Sequence, residues 1–582
     1  MVPAPSGAVP SAGHRLSQTE PGGLFERNGL GPVRLVRRFG PLANDRVAGV
    51  DERGRRRRTY PTTVPTGSHG GSYRVYVEYR TALGLVGTVL KYLSLALVLP
   101  VAVALYYRES PVPFVVTIAV MAGLGIALER LRGDGELGHR EGFLLVALTW
   151  LAIPIIGALP YLIAGEGTVA HPVNALFESM SGFTTTGATV LGEISFDRHS
   201  RSILLWRQLT QWLGGMGILV LMVAILPELS VGGAQVINEE APGFALEKLT
   251  PRIRDTARAL WTVYVGFTVA AVAVYYGLHL AGMAPNMDLY NAVAHALTTL
   301  PTGGFSPEAR SVEAFSPAIQ WAVVLFMIVA GTNFALLWYV ATGEPRRLVR
   351  NDEFRSYLLA IGVVAVLLTT LLFTGLGLSA VPTNVDPIPG DLGNSVRQAT
   401  FQTVAIVTTT GYASMDFNTW GESSKVVLLL AMFLGGSAGS AAGSLKIVRW
   451  LLVRRAMARE LYTTIHPEAV RPIRFTGKPI EEDTLRGVFI LVLSFLAIFA
   501  VSSVVLFLDA LRVGLDLSAI EAVSASIATL GNIGPGVGVV GPMNNFLPFS
   551  NASKLYMVFL MWLGRLEVLS VLIVLSPAYW KQ

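Results

Sequence analysis

The 582-residue sequence contains no cysteine. Disulfides, thiolate metal sites and cysteine nucleophiles are therefore excluded. Charge is also scarce: Asp, Glu, Lys and Arg make up 14% of the chain, against about 25% in an ordinary soluble domain. Its 8 histidines are scattered, no His-Glu-x-x-His occurs, and carboxylates do not gather. An active site needs convergent acids, bases or metal ligands, so a membrane-embedded enzyme fits poorly and no cofactor is expected. No apolar stretch follows the initial Met, so no secretory signal is expected there. Nothing points to a nucleic-acid partner.

What the chain does have is apolar length. Hydrophobic residues make up 52% of it, much of it in runs of 20 or more, which indicates an all-α polytopic membrane protein rather than a water-soluble enzyme. Ten spans are expected, near 82–106, 113–130, 141–163, 201–227, 257–281, 316–341, 356–379, 421–453, 484–511 and 552–580. Lys and Arg orient them. The basic tail, then Arg130, Arg132 and Arg140, then Lys248, Arg252, Arg254 and Arg258, then Arg346, Arg347, Arg350 and Arg355, then Arg454 to Lys478, and finally Lys581 all fall on one side. That side is read as cytoplasmic, with both termini inside. Residues 1–81, with RGRRRR at Arg53–Arg58, read as a disordered, solvated basic tail. Attraction to anionic lipid headgroups is a second reading, and a translation start further downstream a third.

Four of the outer connections, 172–190, 289–306, 395–414 and 518–538, hold a short apolar segment followed by small and hydroxyl residues. A helix of about 11 residues rises only about 16 Å, so each can enter halfway and must return. Aligned on Gly187, Gly304, Gly411 and Gly534, they read NALFESMSGFTTTGAT, NAVAHALTTLPTGGFS, QATFQTVAIVTTTGYA and EAVSASIATLGNIGPG. Ala175, Ala292, Ala399 and Ala522 fall in register, and Asn174, Asn291, Gln398 and Glu521 head the half-helices. Four diverged copies of one membrane helix–pore helix–membrane helix unit are the simplest account. The expected fold is four such pseudo-symmetric repeats around one central pore, preceded by an extra helical hairpin.

Non-helical backbone at membrane depth must be buried in protein or line water. Four returning strands satisfy that rule if their carbonyl oxygens replace a cation's hydration shell. The candidate ion-binding residues are Thr184, Thr185, Thr186 and Gly187; Thr302, Gly303 and Gly304; Thr408, Thr409, Thr410 and Gly411; and Asn532, Ile533 and Gly534. Glycine permits the backbone angles, and the threonine hydroxyls add oxygens or pin the strand from behind. The negative ends of four half-helices aimed at the centre favour a cation. With no charged residue in these strands, a weakly hydrated monovalent ion suits them better than magnesium or calcium.

SGFTTTGATV, PTGGFS, VTTTGYAS and NIGPGVG resemble the four pore loops of the TrkH/TrkG/KtrB/HKT superfamily of potassium transporters. Trp206–Pro227, Gly435–Arg449 and Gly564–Pro577 are similar to the second membrane helices of that family's first, third and fourth repeats, and the likeness covers roughly 82–582. The front hairpin resembles the TrkH branch. The resemblance implies potassium as the transported ion at the filter residues and a homodimer with one pore per subunit. It also implies a cytosolic, nucleotide-binding RCK regulatory subunit of the TrkA type, and residence in the cytoplasmic membrane. Glycine at all four filter positions is similar to potassium-selective members. Pro301-Thr302-Gly303 and Gly531-Asn532-Ile533 depart from the Thr-Thr-Thr pattern and leave selectivity over sodium, and proton or sodium coupling, open.

Within the eighth span, GGSAGSAAGS at Gly435–Ser444 reads either as tight helix packing through small residues or as a broken helix under the filter. The resemblance favours the second, with Gly435, Gly436, Gly439 and Gly443 in a gate. Arg565 lies in the last span, two residues from Glu567, so the two do not share a helix face and Arg565 needs another partner. It is expected to contact the Gly435–Ser444 segment below the filter as an electrostatic barrier, an inert structural pairing being the alternative. Lys446 and Arg449 are expected at the headgroup level, and Glu178 and His295 in structural hydrogen bonds. The expected units are 1–81 tail, 82–140 hairpin, and repeats 141–230, 257–341, 356–453 and 484–582. A receptor or scaffold without transport would leave the matched loops unexplained.

Overall fold

The computed structural model describes residues 79–133, 139–217, 253–380 and 385–580. The Arg53–Arg58 run, Lys248, Arg252, Lys581 and the end of the expected fourth span lie outside the described residues.

The chain opens as a hairpin: Tyr79–Leu93 runs through a 3₁₀ turn into Val98–Tyr107, and Val112–Glu129 returns. Gly87 and Gly125 let the two backbones touch. A Cβ on Gly87 would stand 2.6 Å from the Gly125 carbonyl oxygen, and one on Gly125 would stand 2.8 Å from that of Gly87. Lys91 closes the hairpin with an ion pair to Glu129 at 2.5 Å.

Four copies of the same unit follow. Each has a first helix, a half-helix, a return strand and a second helix. The first helices are His139–Gly157, Ile253–Leu280, Asp352–Phe373 and Glu482–Val513. The half-helices are Pro172–Phe183, Leu289–Thr299, Leu392–Val407 and Ala519–Leu530. Their starts carry local signals. Asp288 accepts from the Asn291 N–H, Asp391 from Asn394, and Ser518 forms a capping box with Glu521. The first half-helix opens on Pro172, whose missing N–H costs nothing there.

The second helices are broken where the hydropathy runs on unbroken. Six described helices are long and apolar enough to cross a membrane, or eight if each bent pair counts as one span. Pro317–Ala330 bends by 104° into Phe334–Ala341, and Asn551–Arg565 by 114° into Leu569–Leu575. Arg201–Trp212 passes into a π turn with Gly215 at ψ −106°. In the third repeat Glu422–Ala431 and Ile447–Ile465 are separate helices, and residues 432–446 between them are not helical. The eighth span is therefore broken at its Gly-rich stretch, the reading that the resemblance favoured over a tightly packed continuous helix. Glycine lies at three of the breaks, Gly215, Gly331 and Gly435, whereas the fourth turns just past Arg565 with Glu567 at φ 51°. Helix propensity is weakest at the glycines, and no side chain prevents the turn there.

Candidate functional site

All four half-helices end alike. The residue two before the aligned glycine is left-handed in each: Thr185 at φ 54°, Thr302 at 57°, Thr409 at 54° and Asn532 at 52°. The next N–H reaches back to the last turn: Thr186 to the Ser181 carbonyl, Gly303 to Thr298 and Thr410 to Ala405 at 2.8 Å each, and Ile533 to Ala528 at 2.9 Å. This is the Schellman closure of a helix. Threonine is ill-suited to it, because a β-branched residue at positive φ is strained by roughly 1–3 kcal/mol. The aligned glycine is left-handed as well, at φ 80°, 81°, 72° and 102° for Gly187, Gly304, Gly411 and Gly534.

These glycines form a closed circuit. A Cβ on Gly187 would strike the carbonyl oxygen of Gly303, one on Gly304 that of Thr410, and one on Gly411 that of Ile533. One on Gly534 would lie 2.7 Å from that of Thr186, which returns to the first repeat. Each glycine thus faces the oxygen of the strand next door, and no other residue fits. The four strands encircle one axis.

Side chains lace the strands together at each junction. Between repeats one and two, Gln211 donates to the Gly303 carbonyl at 2.7 Å and accepts from the Phe305 N–H at 3.0 Å. Arg207 there donates to the Ser306 carbonyl at 2.9 Å and lies over the Phe305 ring. Between two and three, the Tyr412 hydroxyl bonds Thr298 at 2.5 Å, and Glu313 N–H donates to Ala413. Between three and four, Asn418 accepts from the Gly538 N–H at 2.8 Å and donates to its carbonyl at 3.1 Å. Between four and one, Asn532 donates to the Thr186 hydroxyl at 2.9 Å, and Phe546 N–H to the Thr189 carbonyl at 2.8 Å. Thr184 with Thr186, and Thr408 with Thr410, share hydroxyl bonds behind their strands. The Thr302 hydroxyl bonds the Pro301 carbonyl at 2.6 Å.

Below the strands, Arg565 ends the last second helix. Its guanidinium donates to the Thr185 hydroxyl, the Ala441 carbonyl and the Gly214 and Gly215 carbonyls, each at 2.9 Å. One cation thus joins the first strand, the Gly-rich segment and the break in the first repeat's second helix. The segment also touches the third strand, where Gly443 N–H donates to the Thr409 hydroxyl at 2.7 Å. Gly439 and Ser444 turn it at positive φ, and Gly435 N–H closes its base on the Leu445 carbonyl at 2.8 Å. A Cβ on Gly436 would lie 2.7 Å from the Gly331 carbonyl oxygen. All the gate residues expected from sequence therefore lie together beneath the ring.

Lys446 and Arg449, expected to reach toward water, turn inward instead. Both are buried: Lys446 donates to the Ala442 carbonyl inside the segment, and Arg449 pairs with Glu567. A buried charge needs a partner more than a long stem needs water, which is why neither snorkels. Glu178 accepts from Arg207 at 2.6 Å, from Thr189 and from the Val190 N–H. His295 bonds the Asn291 carbonyl and the Ser306 hydroxyl. Sequence reading missed Gln211, Arg207, Tyr412 and Glu353. Glu353 is buried and accepts from the Ala438 N–H at 2.7 Å and the Val448 N–H at 3.2 Å, tying the Gly-rich segment to the start of the helix Ile447–Ile465. For Arg207 and Gln211 the available signal was a polar residue inside an apolar span, and for Tyr412 its place in the VTTTGYAS motif.

Above the ring lies a cavity of about 60 Å³ whose lining includes Gly187, Gly304, Gly411 and Gly534. Among the described residues no cluster of three or more His, Asp or Glu is arranged to ligate a metal ion.

The family TrkH, described as cation transport protein, matches residues 112–582. The chain is similar to the Trk system potassium uptake protein TrkH of Vibrio parahaemolyticus, 36% identical over 513 residues, covering 87% of this chain and 100% of that protein. It is similar to the TrkH of Escherichia coli K12, 35% identical over 514 residues with the same coverage. The Halomonas elongata protein TrkI is 35% identical over 443 residues, 76% of this chain and 84% of its own. The crystal structure of the potassium transporter TrkH from Vibrio parahaemolyticus superposes with a TM-score of 0.73 at 34% identity, over 86% of this chain and 100% of that one. A multi-pass membrane protein and not an enzyme, the chain belongs to the TrkH family of cation transport proteins.

Proposed function

We propose that the chain is the pore-forming subunit of a Trk-type potassium uptake system in the cytoplasmic membrane, with both termini inside. The carrying observation is the circuit of Gly187, Gly304, Gly411 and Gly534, each set against the next strand's carbonyl oxygen. A ring of backbone oxygens at membrane depth is the arrangement that exchanges for a potassium ion's water. Thr184–Gly187, Thr302–Gly304, Thr408–Gly411 and Asn532–Gly534 form this filter. Gly435, Gly436, Gly439 and Gly443 form the gate beneath it, with Arg565 as its electrostatic latch. The subunit acts as a homodimer under a cytosolic, nucleotide-binding TrkA-type partner. The names of its relatives support the ion, and the partners rest on the family resemblance alone.

A second reading has one observation in its favour. Gln211 donates to the Gly303 carbonyl oxygen, so one strand is held differently from the other three. An uneven cage discriminates less sharply, and a potassium pathway with some sodium leak is the form this takes. Rubidium or potassium uptake in a transport-deficient host tests both readings, with Gly187→Ser as the control. Uptake by the unmodified chain that Gly187→Ser leaves untouched, in rate and in potassium over sodium preference, sinks the filter assignment.

A further inference from the structure

Two charged residues line the outer cavity above the filter, Arg207 and Glu308. Arg207 brings little net charge. Its guanidinium is buried against the Glu178 carboxylate at 2.6 Å, and the two cancel. The neighbouring Arg310 is likewise engaged, by Glu313 at 2.7 Å. Glu308 differs. Its side chain has a neutral partner, the Asn291 amide at 3.1 Å, and no described cation lies within ion-pair reach of it. Its backbone N–H is fixed by the Ser306 hydroxyl at 3.0 Å, so the carboxylate is held beside the cavity and not on a loose loop. The position four residues past the filter glycine is Leu191, Met415 and Gly538 in the other repeats. The vestibule thus carries one uncompensated negative charge, placed off-axis on the second repeat.

Resting on the transport reading, we propose that Glu308 is the cation-recruiting group of this pathway. It raises the local concentration of small monovalent cations in the vestibule before they shed water at the glycine ring. The volume of about 60 Å³ holds a cation with a few of its waters. A charge beside a low-dielectric cleft focuses its field inward and attracts counter-ions at long range. Glu308 acts through this field on capture and leaves the passage through the filter itself alone.

The test is rubidium uptake by the full-length protein in proteoliposomes, measured against external rubidium at low and at high N-methylglucamine chloride. At low ionic strength Glu308→Gln raises KM about fivefold, with the maximal rate kept within about twofold. High ionic strength closes most of the gap, because salt screens an exposed field. Glu308→Asp, which retains the charge, stays near the unmodified KM. Equal KM values for Glu308→Gln and the unmodified protein overturn the proposal. So does a KM shift that ionic strength leaves alone, or a fallen maximal rate at unchanged KM, which marks a structural role. Absence of uptake by the unmodified protein sinks the transport reading and this proposal together, whereas uptake with matching KM values sinks this proposal alone.

Discussion

Arg565 holds the Thr185 hydroxyl and the Ala441 carbonyl with the same nitrogen, each at 2.9 Å. The first return strand and the Gly-rich segment are therefore tied through one guanidinium. Any movement of the segment away from the ring must break or carry this contact. Arg565→Ala is expected to raise rubidium flux roughly tenfold, the size of effect that one charge facing a partly desolvated passage can exert. Flux equal to that of the unmodified protein, at equal expression, would remove the barrier role.

The clamp at Glu353 makes a separate prediction. Its carboxylate accepts from Ala438 and Val448, which lie on the two flanks of the segment's turn. Glu353→Ala orphans both donors at a cost of about 1–3 kcal/mol. A lowered thermal midpoint in detergent together with raised basal flux is expected. A lowered midpoint with unchanged flux would mean that the clamp serves folding and not gating.

The glycine circuit separates two classes of substitution. Gly304→Ala and Gly411→Ala drive a methyl group into a neighbouring carbonyl and should abolish selective uptake. Gly362→Ala, in the helix Asp352–Phe373, meets nothing within 4 Å and should add up to about 1 kcal/mol of stability with normal uptake. Uptake and thermal melts of the three variants side by side decide it.

Much of this arrangement was legible in the sequence, and the parts that were not share a cause. The repeat and its glycine column are local patterns, so GFTTTGAT and its three relatives could be aligned by eye. The breaks in the second helices were not, because a run such as Pro317–Ala341 keeps its apolar character across Gly331-Thr332-Asn333 while the backbone bends by 104°. Hydropathy reports solvent preference and is blind to direction. Arg449 and Glu567 were misplaced or left unpaired because the two stand 118 residues apart. No periodicity records a contact of that range. The left-handed threonines were unreadable for the opposite reason, since local propensity argues against them and the surrounding hydrogen bonds override it.

The buried pair of Arg207 and Glu178 should be fragile to single changes. Arg207→Met strands a carboxylate with no exposed surface, at roughly 3–5 kcal/mol. Little monodisperse protein is expected from it. The double variant Arg207→Met with Glu178→Gln should recover much of the yield, and failure to do so would place the cost in the lost Ser306 contact instead.

A pH dependence of stability is expected from His199, in the loop before the helix Arg201–Trp212. Burial holds its imidazole below the ordinary value, while the Glu166 carboxylate at 3.8 Å and the Glu193 carbonyl work the other way. A depressed histidine pKa means that the folded state binds the neutral ring. Its contribution is intact above the unfolded value of about 6.5 and is lost as pH falls through the folded one. Thermal midpoints should therefore drop between about pH 7 and pH 5, with a shallower drop in His199→Gln. Parallel curves for the two proteins would exclude His199 as the cause.

The circuit of glycines also bears on how such a chain can change over time. Since each strand's permitted residue is dictated by an oxygen belonging to the next, the four copies are not free to drift separately. A bulkier residue accepted in one quarter demands a retreat in its neighbour, and that retreat is felt in turn all the way around. The four repeats differ almost everywhere else in sequence, yet at this level they hold one another hostage.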